Sequence, residues 1–96
     1  MFIISITYKV SIELIETQLA AHVDFLKAQY ALGNFILSGR KEPRIGGVIL
    51  SNLTSRDQLE EILAEDPFKK NDFGHYQVIE FKPTLAAADL NFLIGT

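Results

Sequence analysis

The chain contains no cysteine. That removes thiol nucleophiles, thiolate metal sites and disulfide staples. A small chain without staples relies on packing, a metal or association. Freedom from cysteine is compatible with a reducing compartment. Excess positive charge is also missing: nine Lys and Arg stand against twelve Asp and Glu, a net charge of −3. A nucleic-acid scaffold needs a basic face, so no nucleic-acid partner is expected. Long apolar runs are lacking as well. Phe2 to Tyr8 is apolar but far too short to span a bilayer. No basic segment precedes it, as a signal peptide would require. The expected setting is the cytoplasm, with no membrane partner. Histidine is scarce, and His22, His75 and the scattered carboxylates show no metal-ligand spacing. No Gly-rich loop follows a strand and opens a helix, so no nucleotide cofactor is indicated. The expectation is therefore no metal and no cofactor. No internal repeat or low-complexity segment interrupts the chain.

What remains is 96 residues, 48% of them hydrophobic. This length suits one domain with one core. Phe2, Ile4, Ile6, Tyr8 and Val10 alternate with Ile3, Ser5, Thr7 and Lys9, which predicts a first strand. Ser11 is an N-cap candidate, with Glu13 placed to favour the helix dipole. Ile15, Leu19, His22, Leu26 and Tyr30 then recur on one helical face, and Gly33 supplies the stop. His22 thus sits near the centre of an apolar stripe facing the sheet.

Phe35 to Gly39 reads as a second strand, Lys41 to Gly47 as a polar loop, and Val48 to Leu53 as a third strand. The short connection makes the last two an antiparallel hairpin. Ser55 and Gln58 form a capping box for a second helix, with Leu59, Ile62 and Leu63 as its buried side. That helix ends at Asp66-Pro67. A residue before proline is pushed out of the helical region, and proline suits the first position of a new turn. Asp66 is thereby fixed on a corner. Tyr76 to Phe81 is the fourth strand, and Pro83 ends it. The tail from Thr84 can start a short helix through Leu90, followed by apolar Phe92, Leu93 and Ile94.

Strand, helix, strand, strand, helix, strand is the α+β ferredoxin-like plan, βαββαβ, with both helices on one face of a four-stranded sheet. Several strands are apolar on both sides, as in Phe2 with Ile3 and Val78 with Ile79. An open apolar sheet calls for a cover, most simply a second copy related by a two-fold axis.

The opening Phe-Ile-Ile-Ser-Ile-Thr-Tyr, the helix carrying Ala21-His22-Val23-Asp24-Phe25-Leu26, Ser38-Gly39, Gly46-Gly47-Val48 and Glu65-Asp66-Pro67-Phe68 together resemble the YciI-like (YCII-related) family. The likeness covers residues 2 to about 83 of a single domain spanning 1–96, and leaves the tail 84–96 unassigned. The resemblance implies a dimeric α+β barrel and an active site built on a His–Asp pair, here His22 and Asp66. It also implies kinship with enzymes that eliminate small leaving groups from ring compounds, although many members have no assigned reaction.

An imidazole exchanges protons near neutral pH. From spacing alone, a core histidine bonded to a backbone carbonyl is the more common arrangement, and the resemblance shifts the balance toward a site role. Asp66 reads equally as an N-cap for the turn after it. One carboxylate can do both jobs, with one oxygen capping and the other orienting His22 as in catalytic triads. Ser38, Gly39, Arg40, Arg44 and Tyr8 are candidate substrate-binding residues. Ser38 and Tyr8 offer hydroxyls, Gly39 offers close backbone approach, and Arg40 and Arg44, with Lys41, offer an anion contact. Each has a plainer reading as turn, core or solvated loop.

Three functions compete at this point. The first is a small cofactor-independent enzyme doing elimination or isomerisation on a small, cyclic or carboxylated molecule. The second is a non-catalytic binding or regulatory module for a small-molecule ligand. The third, an RNA-binding domain, needs aromatics and basic residues on the third strand, where Gly47-Val48-Ile49-Leu50-Ser51 supplies neither.

Overall fold

The computed structural model describes residues 1–96. Its order is β1 (Phe2–Tyr8), α1 (Ile12–Ala31), β2 (Leu37–Arg40), β3 (Gly46–Ser51), α2 (Arg56–Leu63), α3 (Pro67–Lys70) and β4 (Gly74–Glu80), followed by a short 3-10 helix over Ala88–Leu93. The strands form one antiparallel sheet in the order β2-β3-β1-β4. This is the expected ferredoxin-like arrangement.

Local chemistry sets the element ends. The Ser11 hydroxyl accepts from the Leu14 amide at 3.3 Å and starts α1. Gly33 ends it at φ 77°, a conformation that suits glycine. The Ser55 hydroxyl accepts from the Gln58 amide at 3.2 Å and starts α2.

Some boundaries differ from the sequence reading. Phe35 does not join β2; it turns inward and is buried. β3 begins at Gly46, two residues earlier than the pattern suggests, and stops at Ser51. The stop has a cause: the buried Ser51 hydroxyl donates to the Asn34 carbonyl at 2.7 Å and accepts from the Leu53 amide at 3.2 Å, turning the chain. The tail forms its 3-10 helix later than Thr84, with no side chain capping its start.

The core lies between the helices and one sheet face. Phe2, Ile4 and Ile6 of β1, Ile49 of β3, Phe35, and Leu59 and Leu63 of α2 form one buried cluster. Phe25, Leu26 and Tyr30 of α1 pack against it. The register places Ile3, Leu50, Leu37 and Ile79 side by side on the other face. There Leu37 is 55% and Ile79 47% exposed. No helix is long and apolar enough to cross a membrane.

Gly46 is required by packing. A Cβ there would lie 1.8 Å from the Ile6 carbonyl oxygen, a backbone atom that cannot swing away. At Gly39 an added Cβ meets nothing within 4 Å. Gly46→Ala is therefore expected to lower the unfolding free energy by about 1–3 kcal/mol or more, the usual scale of overpacking. Gly39→Ala should stay within about 0.5 kcal/mol of the parent. Urea midpoints at unchanged slope decide between them, and equal midpoints would contradict this packing account.

Candidate active site

Pro67 opens α3 and keeps Asp66 extended, at φ −65° and ψ 125°. From that corner the Asp66 side chain turns back into the protein, where it is 0% exposed. Three donors meet it. Its Oδ1 accepts from the Phe68 amide at 3.0 Å, which caps α3. The same Oδ1 lies 2.8 Å from His22 Nδ1. Its Oδ2 accepts from the Tyr76 hydroxyl at 2.5 Å. The division of labour expected for the two oxygens is thus altered. One oxygen serves both cap and imidazole, and the other belongs to a tyrosine that the sequence reading did not single out. Tyr76 alternates with Val78 along β4 and looks like ordinary core. Only the pairing of Tyr76 with Ile6 turns it toward the helices, beside Asp66.

The tyrosine is a fixed donor. Burial pushes its phenol well above the ordinary range, and the neighbouring Asp66 charge, the hydrogen bond to Asp66 and nearby Tyr8 push it the same way. Lys69 Nζ sits 5.2 Å from the Tyr76 ring centroid, on α3.

His22 is held on two sides. Its ring stacks on Phe68, with centroids 4.0 Å apart and planes 10° from parallel. Tyr8 meets the same Phe68 edge-on at 5.9 Å. The ring orientation is fixed by Asp66, because an acceptor-only carboxylate at Nδ1 calls for Nδ1–H. Nε2 has no partner in the protein, and no buried polar side-chain atom is left unpaired. Nε2 is therefore accessible, on a ring that lines a cavity.

That cavity holds about 170 Å³. It lies between α1 and the strands β1, β2 and β3, with Leu19, Val23 and Leu26 on the helix side. His22, Tyr8, Ser38, Gly39 and Arg40 all line it, so five of the seven candidate residues share one space with the imidazole or carry it. Asp66 stands behind His22, outside the cavity wall. Arg44 is elsewhere: its guanidinium reaches Glu16 of α1 at 3.3 Å, across the outside of the fold. Ser38 is bonded to the Tyr30 hydroxyl. The Tyr8 hydroxyl makes no hydrogen bond within the protein. Arg40 Nε touches only Glu42, at 3.3 Å, and both side chains are largely exposed. Such a surface pair contributes little and is easily given up to a ligand. Gly46, Gly47, Val48 and Ile49 form its β3 wall, and the two glycines leave one end of that wall without side chains.

The sequence profile of the YCII-related domain matches residues 1–82. The chain belongs to this family. The match ends before the tail that carries the 3-10 helix. Among solved structures, the 5-chloro-2-hydroxyhydroquinone dehydrochlorinase of Burkholderia phenoliruptrix, in complex with 2,5-dihydroxybenzoquinone, superposes with a TM-score of 0.73 at 20% identity. The superposition covers 84% of this chain and 92% of that one. This likeness places the family member in the same α+β fold. No curated protein gives a sequence match.

The raised Tyr76 phenol makes stability depend on alkaline pH. Above about pH 10, the ordinary phenol range, the unfolded chain releases this proton while the folded chain keeps it. The unfolded state then binds fewer protons, so stability falls as pH rises, by up to about 1.4 kcal/mol per pH unit. Tyr76→Phe is expected to flatten that loss when urea unfolding is compared between about pH 9 and 11. Parallel curves for the two proteins would show that Tyr76 ionises alike in both states.

Proposed function

We propose that this family member is a small acid–base enzyme acting on a single-ring organic molecule, with His22 as the proton-transferring group. The observation that carries the proposal is the ring clamped at Nδ1 by Asp66, with Nε2 open to a cavity of about 170 Å³. An apolar cavity of about 150 Å³ takes up benzene, so one six-membered ring is the scale of guest that fits.

Asp66 holds one tautomer, leaving the Nε2 lone pair free to accept a proton. In the elimination reading, Nε2 removes a proton from a ring carbon or hydroxyl. The freed electron pair forms a new π bond, and an anionic leaving group departs with its own bonding pair. The proton then passes from Nε2 to water. Negative charge that develops on a ring oxygen meets the free Tyr8 hydroxyl and the Arg40 guanidinium, which serve as donors. Ser38, with its hydroxyl fixed by Tyr30, offers a further contact. The dehydrochlorinase activity and quinone ligand of the structural neighbour support this class of chemistry.

The second part of the proposal is assembly. The exposed Leu37 and Ile79, beside Ile3 and Leu50, form an apolar face that a second copy would cover, closing the two sheets into a dimeric α+β barrel.

Two experiments test these points. Chlorinated hydroxyhydroquinones and related single-ring compounds are supplied, and halide release is followed. His22→Ala is expected to slow turnover by about 10²–10⁴-fold, the usual contribution of a general base or acid. Asp66→Asn should slow it as well, and Arg40→Ala should lower kcat, as the loss of a donor to developing charge requires. Unchanged turnover in both dyad variants removes the mechanism, and a bound ring compound recovered intact after long incubation supports a binding module instead. Sedimentation equilibrium should give twice the chain mass at micromolar concentration, and Leu37→Lys with Ile79→Lys should halve it. A parent protein sedimenting as one chain rejects the dimer.

A further inference from the structure

We infer that Tyr76 is a positioning residue: its hydroxyl locks the Asp66 carboxylate so that Asp66 holds His22 in a single tautomer. The inference rests on the reading of His22 and Asp66 given above and adds a third member to their arrangement.

The geometry is specific. Asp66 is fully buried, and each of its oxygens has a defined duty. Oδ1 faces the Phe68 amide and His22 Nδ1. Oδ2 faces Tyr76 alone, at 2.5 Å. The Phe68 amide is a short tether, two residues from Asp66, and by itself leaves the carboxylate free to turn about its last bond. Terminal carboxylate torsions are broad. The phenol on Oδ2 is what opposes that turn. It comes from β4, a different element from the helix that carries Asp66, so it references the carboxylate to the sheet.

Without the phenol, Oδ2 is a buried acceptor with no donor. The carboxylate then gains by rotating toward any other proton, and its hold on Nδ1–H weakens. Phe68 would still stack on the imidazole, so the ring would stay in place. What would be lost is the choice of nitrogen that carries the proton. For a base acting through Nε2 that choice decides whether a lone pair or an N–H faces the cavity.

Tyr76 is suited to the duty for two reasons. Burial and the neighbouring Asp66 raise its phenol above the ordinary range, so it is a donor at neutral pH. Lys69 of α3 places its ammonium 5.2 Å from the ring centroid and 3.5 Å from Glu60 Oε2 of α2. The ring thus meets the helix layer while its hydroxyl reaches Asp66.

The test reads the tautomer directly, by long-range ¹H–¹⁵N correlation of the imidazoles on the full chain at about pH 9, where ordinary imidazoles are neutral. The protein has two histidines, and exposed His75 serves as the unconstrained reference. In the parent protein His22 should show one protonated nitrogen, Nδ1, and one free nitrogen, Nε2. In Tyr76→Phe the two ¹⁵N resonances should draw together, as a mixture of tautomers requires, while the stack on Phe68 persists in the nuclear Overhauser contacts. Asp66→Ala, which removes the acceptor altogether, is run beside it. A His22 tautomer unchanged in Tyr76→Phe but changed in Asp66→Ala overturns the role of Tyr76 and leaves the dyad standing. A tautomer unchanged in both variants overturns the dyad as well. If Tyr76→Phe fails to fold, the parent protein decides: a slowly exchanging hydroxyl proton on Tyr76, close to the Nδ1 proton of His22, is expected at low temperature. Its exchange at the solvent rate overturns the inference.

Discussion

The buried carboxylate of Asp66 is the constraint on which the rest depends. Removing an ionised group from water costs several kcal/mol even after the protein relaxes. Hydrogen bonds to charged groups return roughly 1.5–3 kcal/mol each. A buried Asp66 is tolerable only because three donors converge on it from three different elements: the Phe68 amide of α3, His22 of α1 and Tyr76 of β4. The contact ties both helix segments to the sheet. It also aims the one imidazole that faces the cavity.

Each donor is delivered by a separate piece of local chemistry. Pro67 forbids Asp66 a helical backbone and frees the first amides of α3 to be capped. The apolar stripe of α1, with Ile15 buried, sets the helix rotation and so turns His22 inward. The antiparallel register of β1 with β4 puts Tyr76 opposite Ile6 and on the helix side. Phe68 takes part twice, offering its amide to Asp66 and its ring to His22. A helix cap thus becomes the backing of a polar site.

The two faces of the sheet have different fates. One is sealed by helices except for the cavity, whose β3 wall runs from Gly46 and Gly47 to Val48 and Ile49. Gly46 is there because the backbone of β1 comes too close for any side chain. The other face keeps exposed leucine and isoleucine. Beyond the family match, the tail adds Leu85 at 91% exposure. Apolar surface of this kind is the basis for expecting a second copy.

The residues alone determined the element order, the α+β class and the inward face of α1. They did so because period-two and helical patterns, caps and Asp-Pro are local signals that act within a few residues. They also singled out His22 and Asp66, since a histidine in an apolar stripe and an Asp before Pro are unusual within their own neighbourhoods. Tyr76 carried no such mark, and Arg44 looked like Arg40 until the fold paired it with Glu16. Those assignments belonged to the tertiary structure. Which oxygen of Asp66 meets which donor, and which strand backbone crowds which glycine, depends on segments from 10 to 44 residues apart being brought into contact, and no short stretch of sequence encodes that contact.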